Sequence, residues 1–311
     1  MTPKIFIDGE HGTTGLQIQK RLQKRQDIEL LSIPHTARHE VSLRQEYLHS
    51  ADISILCLPD EVASTTVTLL ASNNTSRIID TSTAHRTTAG WTYGLPELTK
   101  GQKTAIASAQ RVANPGCYAS GAIALIRPLR EAGLLSDEYP INLHAISGYS
   151  GGGKQMIAQM ENPQHSDYNP TQHFFYGLQL NHKHLAEIQY HGLLSAKPIF
   201  SPSVGRFAQG MIVHLPLHRR LFHMSASIQD IRAIFNQHYV GQNIINLATE
   251  EETLSTQRLN PESLAGKDEM RLFLFHDDKE GLFNFCAVFD NLGKGAAGAA
   301  VQNLDLMLYG S

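Results

Sequence analysis

The run Ile5-Phe6-Ile7-Asp8-Gly9-Glu10-His11-Gly12-Thr13-Thr14-Gly15 leaves a chain few options for what it builds next. Three apolar residues make a buried strand, and three glycines at intervals of three make a tight turn. Leu16, Ile18 and Leu22, on a background of Gln, Lys and Arg, continue as a helix. A strand entering a helix through a glycine turn begins a βαβ unit, whose crossover brings the next strand in parallel to the first. Further strands are expected at 28–33, 53–58 and 77–80, with a helix over 62–71 between the last two. The alternation predicts an α/β chain that opens with a Rossmann-type parallel sheet, helices covering both faces.

From about residue 116 the pattern changes. Long connections rich in Gly, His and Pro separate apolar runs at 141–146, 211–217, 271–275 and 282–289, which predict a second, mixed sheet in an α+β domain. One helix is expected over 228–239, capped by Ser227 with Asp230 in its first turn. The Ala-rich stretch 295–308 reads as another, with Val301, Leu304 and Leu308 on one face. A length of 311 residues suits two domains. The division falls at 1–116, a dinucleotide-binding domain, and 117–294, a catalytic and oligomerisation domain.

Several function classes are disfavoured. With 26 Lys and Arg against 29 Asp and Glu, the net charge of −3 provides no basic field for nucleic acid or anionic lipid. The longest apolar runs, 122–126 and 285–289, are far shorter than a membrane span. The N-terminus lacks the pattern of an export signal, so a cytoplasmic location is expected. Cys57, Cys117 and Cys286 form no C-x-x-C pair, which argues against a disulfide framework and against structural zinc. No metal is expected.

The glycine turn is the first site candidate. Gly9, Gly12, Thr13, Thr14 and Gly15 would let backbone N–H groups and a helix N-terminus meet a pyrophosphate, although the G-x-x-G-x-x-G spacing departs from the usual dinucleotide fingerprint. Near the end of the second strand, Ser32, His35, Arg38 and His39 precede any acid, the first being Glu40, which suits a 2′-phosphate and so NADP. A solvated loop is the bland alternative.

The second candidate is Cys117. Asn114-Pro115-Gly116 forms a turn, and Ala122, Leu125, Ile126 and Leu129 have helical spacing, so Cys117 stands at a helix N-terminus, where the dipole favours thiolate. Pro128 is expected to kink or end that helix. Cys57 and Cys286 lie in apolar strands and read as small hydrophobes. A proton-transfer partner is sought among sixteen histidines, and the densest cluster is Asn181-His182-Lys183-His184. His182 and His184 could act in acid–base chemistry, contact substrate, lie on the surface or, with no third ligand in sight, bind metal. Gly148 to Lys154 is either a mobile turn or backbone folded around a substrate, with Lys154 offering charge to an anion.

Taken in order, several motifs resemble the N-acetyl-gamma-glutamyl-phosphate reductase family in its shorter form: the glycine turn, Asp80-Thr81-Ser82-Thr83-Ala84-His85-Arg86, Asn114-Pro115-Gly116-Cys117, Gly148 to Lys154, His182-Lys183-His184, Ser203 to Met211 and Asp290 to Ala296. The Asn-Pro-Gly-Cys turn is shared with aspartate-semialdehyde dehydrogenases. The resemblance covers nearly the whole chain and implies NADP-dependent, reversible reduction of an acyl phosphate in arginine biosynthesis. It implies a thioester on Cys117 and proton transfer by His184, with His182 second. Ser82 and Arg86, with Asn114, would meet substrate, and Arg206 is a weaker candidate of the same kind. Asn291 would approach the nicotinamide, with helix 295–311 returning to the first domain, and a homodimer or tetramer would form. The competing readings are an aspartate-semialdehyde dehydrogenase or other acyl-phosphate reductase, and an NADP-binding redox sensor that uses Cys117 without turnover.

Overall fold

A computed structural model describes residues 2–38, 40–70 and 76–310. The expectations for His39 and Ala71 lie outside the described residues. The chain divides into two compact units, one of Met1–Pro96, Gly101–Gly116 and Ala296–Ser311, the other of Glu97–Lys100 and Cys117–Gly295.

The first unit holds β1 (Lys4–Asp8), α1 (Thr13–Leu22), β2 (Glu29–Leu31), α2 (Val41–Ser50), β3 (Ile53–Leu56), α3 (Asp60–Leu70), β4 (Arg77–Asp80), β5 (Thr92–Tyr93), α4 (Gln102–Ser108) and β6 (Arg111–Ala113). The strands form one parallel sheet in the order β2-β1-β3-β4-β6-β5. Alternate side chains of β1 face opposite layers. Ile5 and Ile7 pack with Ile18 and Leu22 of α1 and with Leu304 and Met307 of the terminal helix Gly298–Tyr309. Phe6 packs with Leu48 of α2 and Val67 and Leu70 of α3. Burial on both faces is why these strands read as unbroken apolar runs.

The second unit holds α5 (Cys117–Glu131), β7 (Asn142–Gly148), α6 (Gly153–Glu161), β8 (His173–Phe175), α7 (Leu185–His191), β9 (Ile199–Gly205), β10 (Met211–His218), α8 (Ile228–His238), β11 (Ile245–Leu247), α9 (Glu250–Ser255), β12 (Met270–Asp277) and β13 (Leu282–Phe289). Its sheet, β11-β12-β13-β10-β7-β9-β8, is mixed: β7 pairs with β9 and β11 with β12 in parallel, the rest antiparallel. On β10, Met211, Val213, Leu215 and Leu217 are buried while Pro216 and His218 are exposed, the alternation of a sheet with one covered face.

The capping expectation for α8 is met on both sides: Asp230 N–H donates to Ser227 Oγ at 3.2 Å, and Ser227 N–H donates to Asp230 Oδ2 at 2.8 Å. Of the two outcomes expected at Pro128, the helix does not end there: α5 runs through it to Glu131. A proline at 128 cannot donate to the carbonyl of Ala124. Tyr239 Oη donates to that carbonyl instead, at 2.7 Å, so a side chain following α8 supplies the missing bond. The helix expected over 295–308 also differs: a π turn, Gly293–Ala297, comes first and the α-helix begins at Gly298.

Candidate active site

In the first unit, Gly9 leaves β1 at φ +89°, and a Cβ there would stand 2.3 Å from the carbonyl oxygen of Cys57. Only glycine accepts both conditions. Gly12 N–H bonds Gly9 O at 2.9 Å and closes the turn. Thr13 and Thr14 open α1, which has no side-chain cap and no acidic residue in its first turn. Gly15 packs on Gly9 O within that turn. Thr13 Oγ1 is buried without a partner. An uncapped helix N-terminus, a glycine turn and an orphaned hydroxyl fit the pyrophosphate of a dinucleotide.

Beside this turn, Glu10 is buried and accepts from Ser32 Oγ at 2.7 Å and Gln19 Nε2 at 2.9 Å. Arg38 donates to His35 O at 2.8 Å, on the exposed connection after β2. Of the residues expected at the ribose, Ser32 thus turns to a carboxylate, and His35 and Arg38 remain exposed, bonded to each other.

The loop after β4 is organised by Asp80. Its carboxylate accepts from Ser82 N–H at 2.9 Å and Ser82 Oγ at 2.7 Å, and pairs with His85 Nδ1 at 2.6 Å. Arg86 donates to Asn114 O at 2.9 Å and to Thr81 O at 3.0 Å. Asn114 donates to Ala296 O and accepts from Asn303 Nδ2, each at 3.0 Å. These three side chains fix the backbone that leads to Gly116.

In the second unit, Cys117 is the first residue of α5 and half-buried. The positive end of the helix dipole favours negative charge on its sulfur. The next residue, Tyr118, is buried and donates to Ser203 O at 3.1 Å. Its ring meets His182 at 5.5 Å, His184 at 6.0 Å and Phe200 at 5.2 Å. The His182 and His184 rings lie edge to face at 4.7 Å. The two histidines sit just before α7, neither in a strand nor on a helix face, and the structure brings them to the Cys117 end of α5.

Their hydrogen bonds distinguish them. His184 N–H donates to His182 Nδ1 at 3.1 Å, which makes Nδ1 an acceptor and places the proton of neutral His182 on Nε2, 3.2 Å from Tyr176 Oη. Burial, with the charge of Lys183 adding, lowers the His182 pKa to about 4. Burial raises the hydroxyls of Tyr118 and Tyr176, and negative charge on Cys117 acts in the same direction on both. Cys57 and Cys286 are different sulfurs, each pushed up to about 12 by burial.

The remaining candidates lie elsewhere in this unit. Gly148 to Ser150 is hydrogen-bonded to the turn at 207–210. Asn291 joins both, accepting from Gly210 N–H at 2.8 Å and donating to Ser150 Oγ at 2.9 Å. Lys154 is exposed in the first turn of α6. Arg206 donates to Asn169 O, Met160 O and Tyr168 Oη at 2.7, 2.6 and 3.0 Å, so its fork closes a loop. Sequence reasoning missed Tyr118, Tyr176 and Phe200. It also missed the pair Lys294–Glu97, which meets at 2.7 Å with both side chains only 1% exposed. Next to Lys294 is Gly295, where an added Cβ would reach within 2.9 Å of Cys117 Cβ. Among the described residues no cluster of metal-ligating groups occurs, and no helix is long and apolar enough to cross a membrane.

Comparison with known proteins adds to this geometry. Residues 4–106 match the model of the semialdehyde dehydrogenase NAD-binding domain, and 117–291 that of the semialdehyde dehydrogenase dimerisation domain. The chain is 56% identical over 308 residues, 99% of each protein, to proteins named N-acetyl-gamma-glutamyl-phosphate reductase from Brucella suis and Brucella abortus. Among solved structures, it resembles aspartate semialdehyde dehydrogenase II of Vibrio cholerae, with TM-score 0.77, 17% identity and 99% of each chain covered. It also resembles the Candida albicans aspartate semialdehyde dehydrogenase with NADP, with TM-score 0.65, 13% identity and 99% of each chain covered. At these identities the structures speak for the fold.

Proposed function

Because this chain belongs to the N-acetyl-gamma-glutamyl-phosphate reductase family, we propose that it reduces N-acetyl-glutamyl 5-phosphate reversibly to N-acetylglutamate 5-semialdehyde and phosphate in arginine biosynthesis, with NADPH as the donor. The single observation that carries the mechanism is Cys117 at the head of α5, with His182, His184, Tyr118 and Tyr176 gathered at the same end.

The Cys117 thiolate attacks the acyl carbon, the bond from that carbon to the phosphate oxygen breaks, and a thioester remains on the enzyme. The departing phosphate takes a proton from His184, which regains one from solvent. A nicotinamide cofactor, when bound, would supply the hydride that reduces the thioester carbon. The carbon–sulfur bond then breaks, the aldehyde leaves and sulfur departs as thiolate, for which a stabilised anion at a helix N-terminus is a good leaving group. His182 is a poor base, because its Nδ1 already accepts a backbone N–H. It positions His184. Gly9, Gly12, Thr13, Thr14 and Gly15 would hold the pyrophosphate of that cofactor. Lys154 meets a substrate anion. Ser82, Arg86, Asn114, Asn291 and Arg206 act through the backbone they fasten. The working assembly is a homodimer, as the dimerisation-domain match supports, and the enzyme works in the cytoplasm.

Phosphate-dependent oxidation of N-acetylglutamate semialdehyde and of aspartate semialdehyde, measured side by side, tests the substrate. The acetylated compound is expected to react, and turnover of aspartate semialdehyde alone would replace the assignment. Cys117→Ser is expected to keep NADPH affinity and lose turnover by about 10⁴-fold or more. Undiminished turnover would remove the nucleophile.

A further inference from the structure

The buried ion pair Lys294–Glu97 has no part in the mechanism above, yet it adjoins the chain that lies against Cys117. Its two side chains meet at 2.7 Å, each 1% exposed. Apolar residues of like volume often stabilise a core as well as such a pair does, so what charge adds here is a fixed distance and direction. Lys294 belongs to the π turn Gly293–Ala297 and stands between two glycines that leave no room for a side chain. A Cβ on Gly293 would stand 2.1 Å from Lys267 O, and one on Gly295 would stand 2.9 Å from Cys117 Cβ and 3.4 Å from Cys117 Cα. Gly295 N–H donates to Asp290 O at 3.0 Å. The backbone of this turn is thus the surface on which the first residue of α5 rests, and π turns are frequent at functional sites.

Glu97 connects to both ends of α5. At the near end its carboxylate holds Lys294, the neighbour of Gly295. At the far end its backbone carbonyl lies 3.2 Å from His238 Nε2, and His238 Nδ1 lies 3.3 Å from Oε2 of Glu131, the last residue of α5. A helix of fifteen residues, about 20 Å long, is in this way tied at both ends to one buried residue. Sliding of α5 along its axis strains one tie or the other. We propose that Lys294 is a positioning residue for the nucleophile: its ion pair with Glu97 seats Gly295 against Cys117 and so fixes where the sulfur points. A sulfur displaced by about 1 Å from the line of attack can lose 10²-fold in rate, so a pair that touches no substrate still acts on kcat. The inference rests on Cys117 as the nucleophile of the reaction proposed above.

The test sets turnover against stability in the full chain, with N-acetylglutamate semialdehyde, phosphate and NADP as substrates. Lys294→Met combined with Glu97→Leu puts apolar groups on both sides, so its urea midpoint is expected to recover most of what Lys294→Met alone loses. Its kcat is nevertheless expected to stay about tenfold below wild type, with KM for aldehyde and for NADP within about twofold, because apolar contact does not restore the fixed distance. Gly295→Ala leaves the pair intact and drives a methyl group at Cys117 Cβ. It is expected to lower kcat about 100-fold with both KM values again within about twofold, and it decides the matter if the double variant does not fold. A double variant that regains wild-type kcat along with its stability, or a Gly295→Ala enzyme with undiminished kcat, overturns the positioning role and leaves Cys117 as the nucleophile. No turnover by the wild-type chain, or full turnover by Cys117→Ser, overturns the nucleophile reading and this inference with it.

Discussion

In the first unit the turn that fits the dinucleotide is shaped by backbone: Gly9 at φ +89°, a hydrogen bond from Gly12 N–H to Gly9 O, and an α1 N-terminus with no side-chain cap. In the second, Cys117 stands among rings, with His182, His184, Tyr118 and Phe200 in mutual contact. The anion asks only for N–H groups, which every residue carries, so glycine matters there for the room it leaves. Covalent chemistry asks for side chains at fixed distances, and these come from α5, β9 and the loop before α7. A backbone site should therefore fail when atoms are added, and a side-chain site when partners are removed.

The largest expected effect removes a partner. Lys294→Met removes the buried ammonium partner of Glu97, and should cost about 4 kcal/mol of stability, read by urea unfolding. A cost below 1 kcal/mol would mean that the pair is not what fixes the chain beside Cys117. The reciprocal experiment adds an atom. Gly9→Ala should cost about 3 kcal/mol, from a positive φ and a Cβ driven at Cys57 O, and should weaken NADPH binding as well. Unchanged cofactor affinity would break the comparison on the backbone side.

A smaller effect concerns pH. His182 has a pKa of about 4 in the folded chain against an ordinary 6.5, so the unfolded chain takes up that proton first as pH falls. Its contribution is complete above pH 6.5 and is lost on going down towards pH 4, about 2 kcal/mol after allowance for the ring's partial exposure. Thermal unfolding across that window should show the loss, and His182→Asn should reduce it. A slope remains in the variant, because burial lowers His214 and His238 in the same direction. The smallest change is Tyr239→Phe, which orphans the Ala124 carbonyl at Pro128 and should cost about 1 kcal/mol. Pro128→Ala restores a backbone donor, so a double-mutant cycle in unfolding free energy should show strong coupling. Additive costs would dismiss the substitution of one donor for another.

The same contrast explains what the sequence disclosed. β1, α1, β3 and β4 were legible because strands buried on both faces repeat apolar residues without a break, and α8 because Ser227 and Asp230 are local caps. α2 went unread: Leu48 is its only buried residue, so its pattern is nearly all polar. Cys117, His182 and His184 could be nominated from residue type and position alone. Their neighbours could not, since Tyr118 and Tyr176 are common residues whose meaning comes from tertiary contact, and Glu97 and Lys294 meet across 197 positions. At Arg206 the sequence shows only a charge in a motif; that three of its hydrogen bonds go to Asn169, Met160 and Tyr168 is tertiary information.

The three sulfurs are graded by their surroundings. Cys57 and Cys286 stay as thiols far into the alkaline range, one beneath the glycine turn and one inside β13. On the mechanism proposed above, peroxide and electrophiles, which react with the anion, would meet it at Cys117 and not at these two sulfurs. Thiol oxidation would then silence the proposed turnover before it reached the sulfurs packed inside the two sheets.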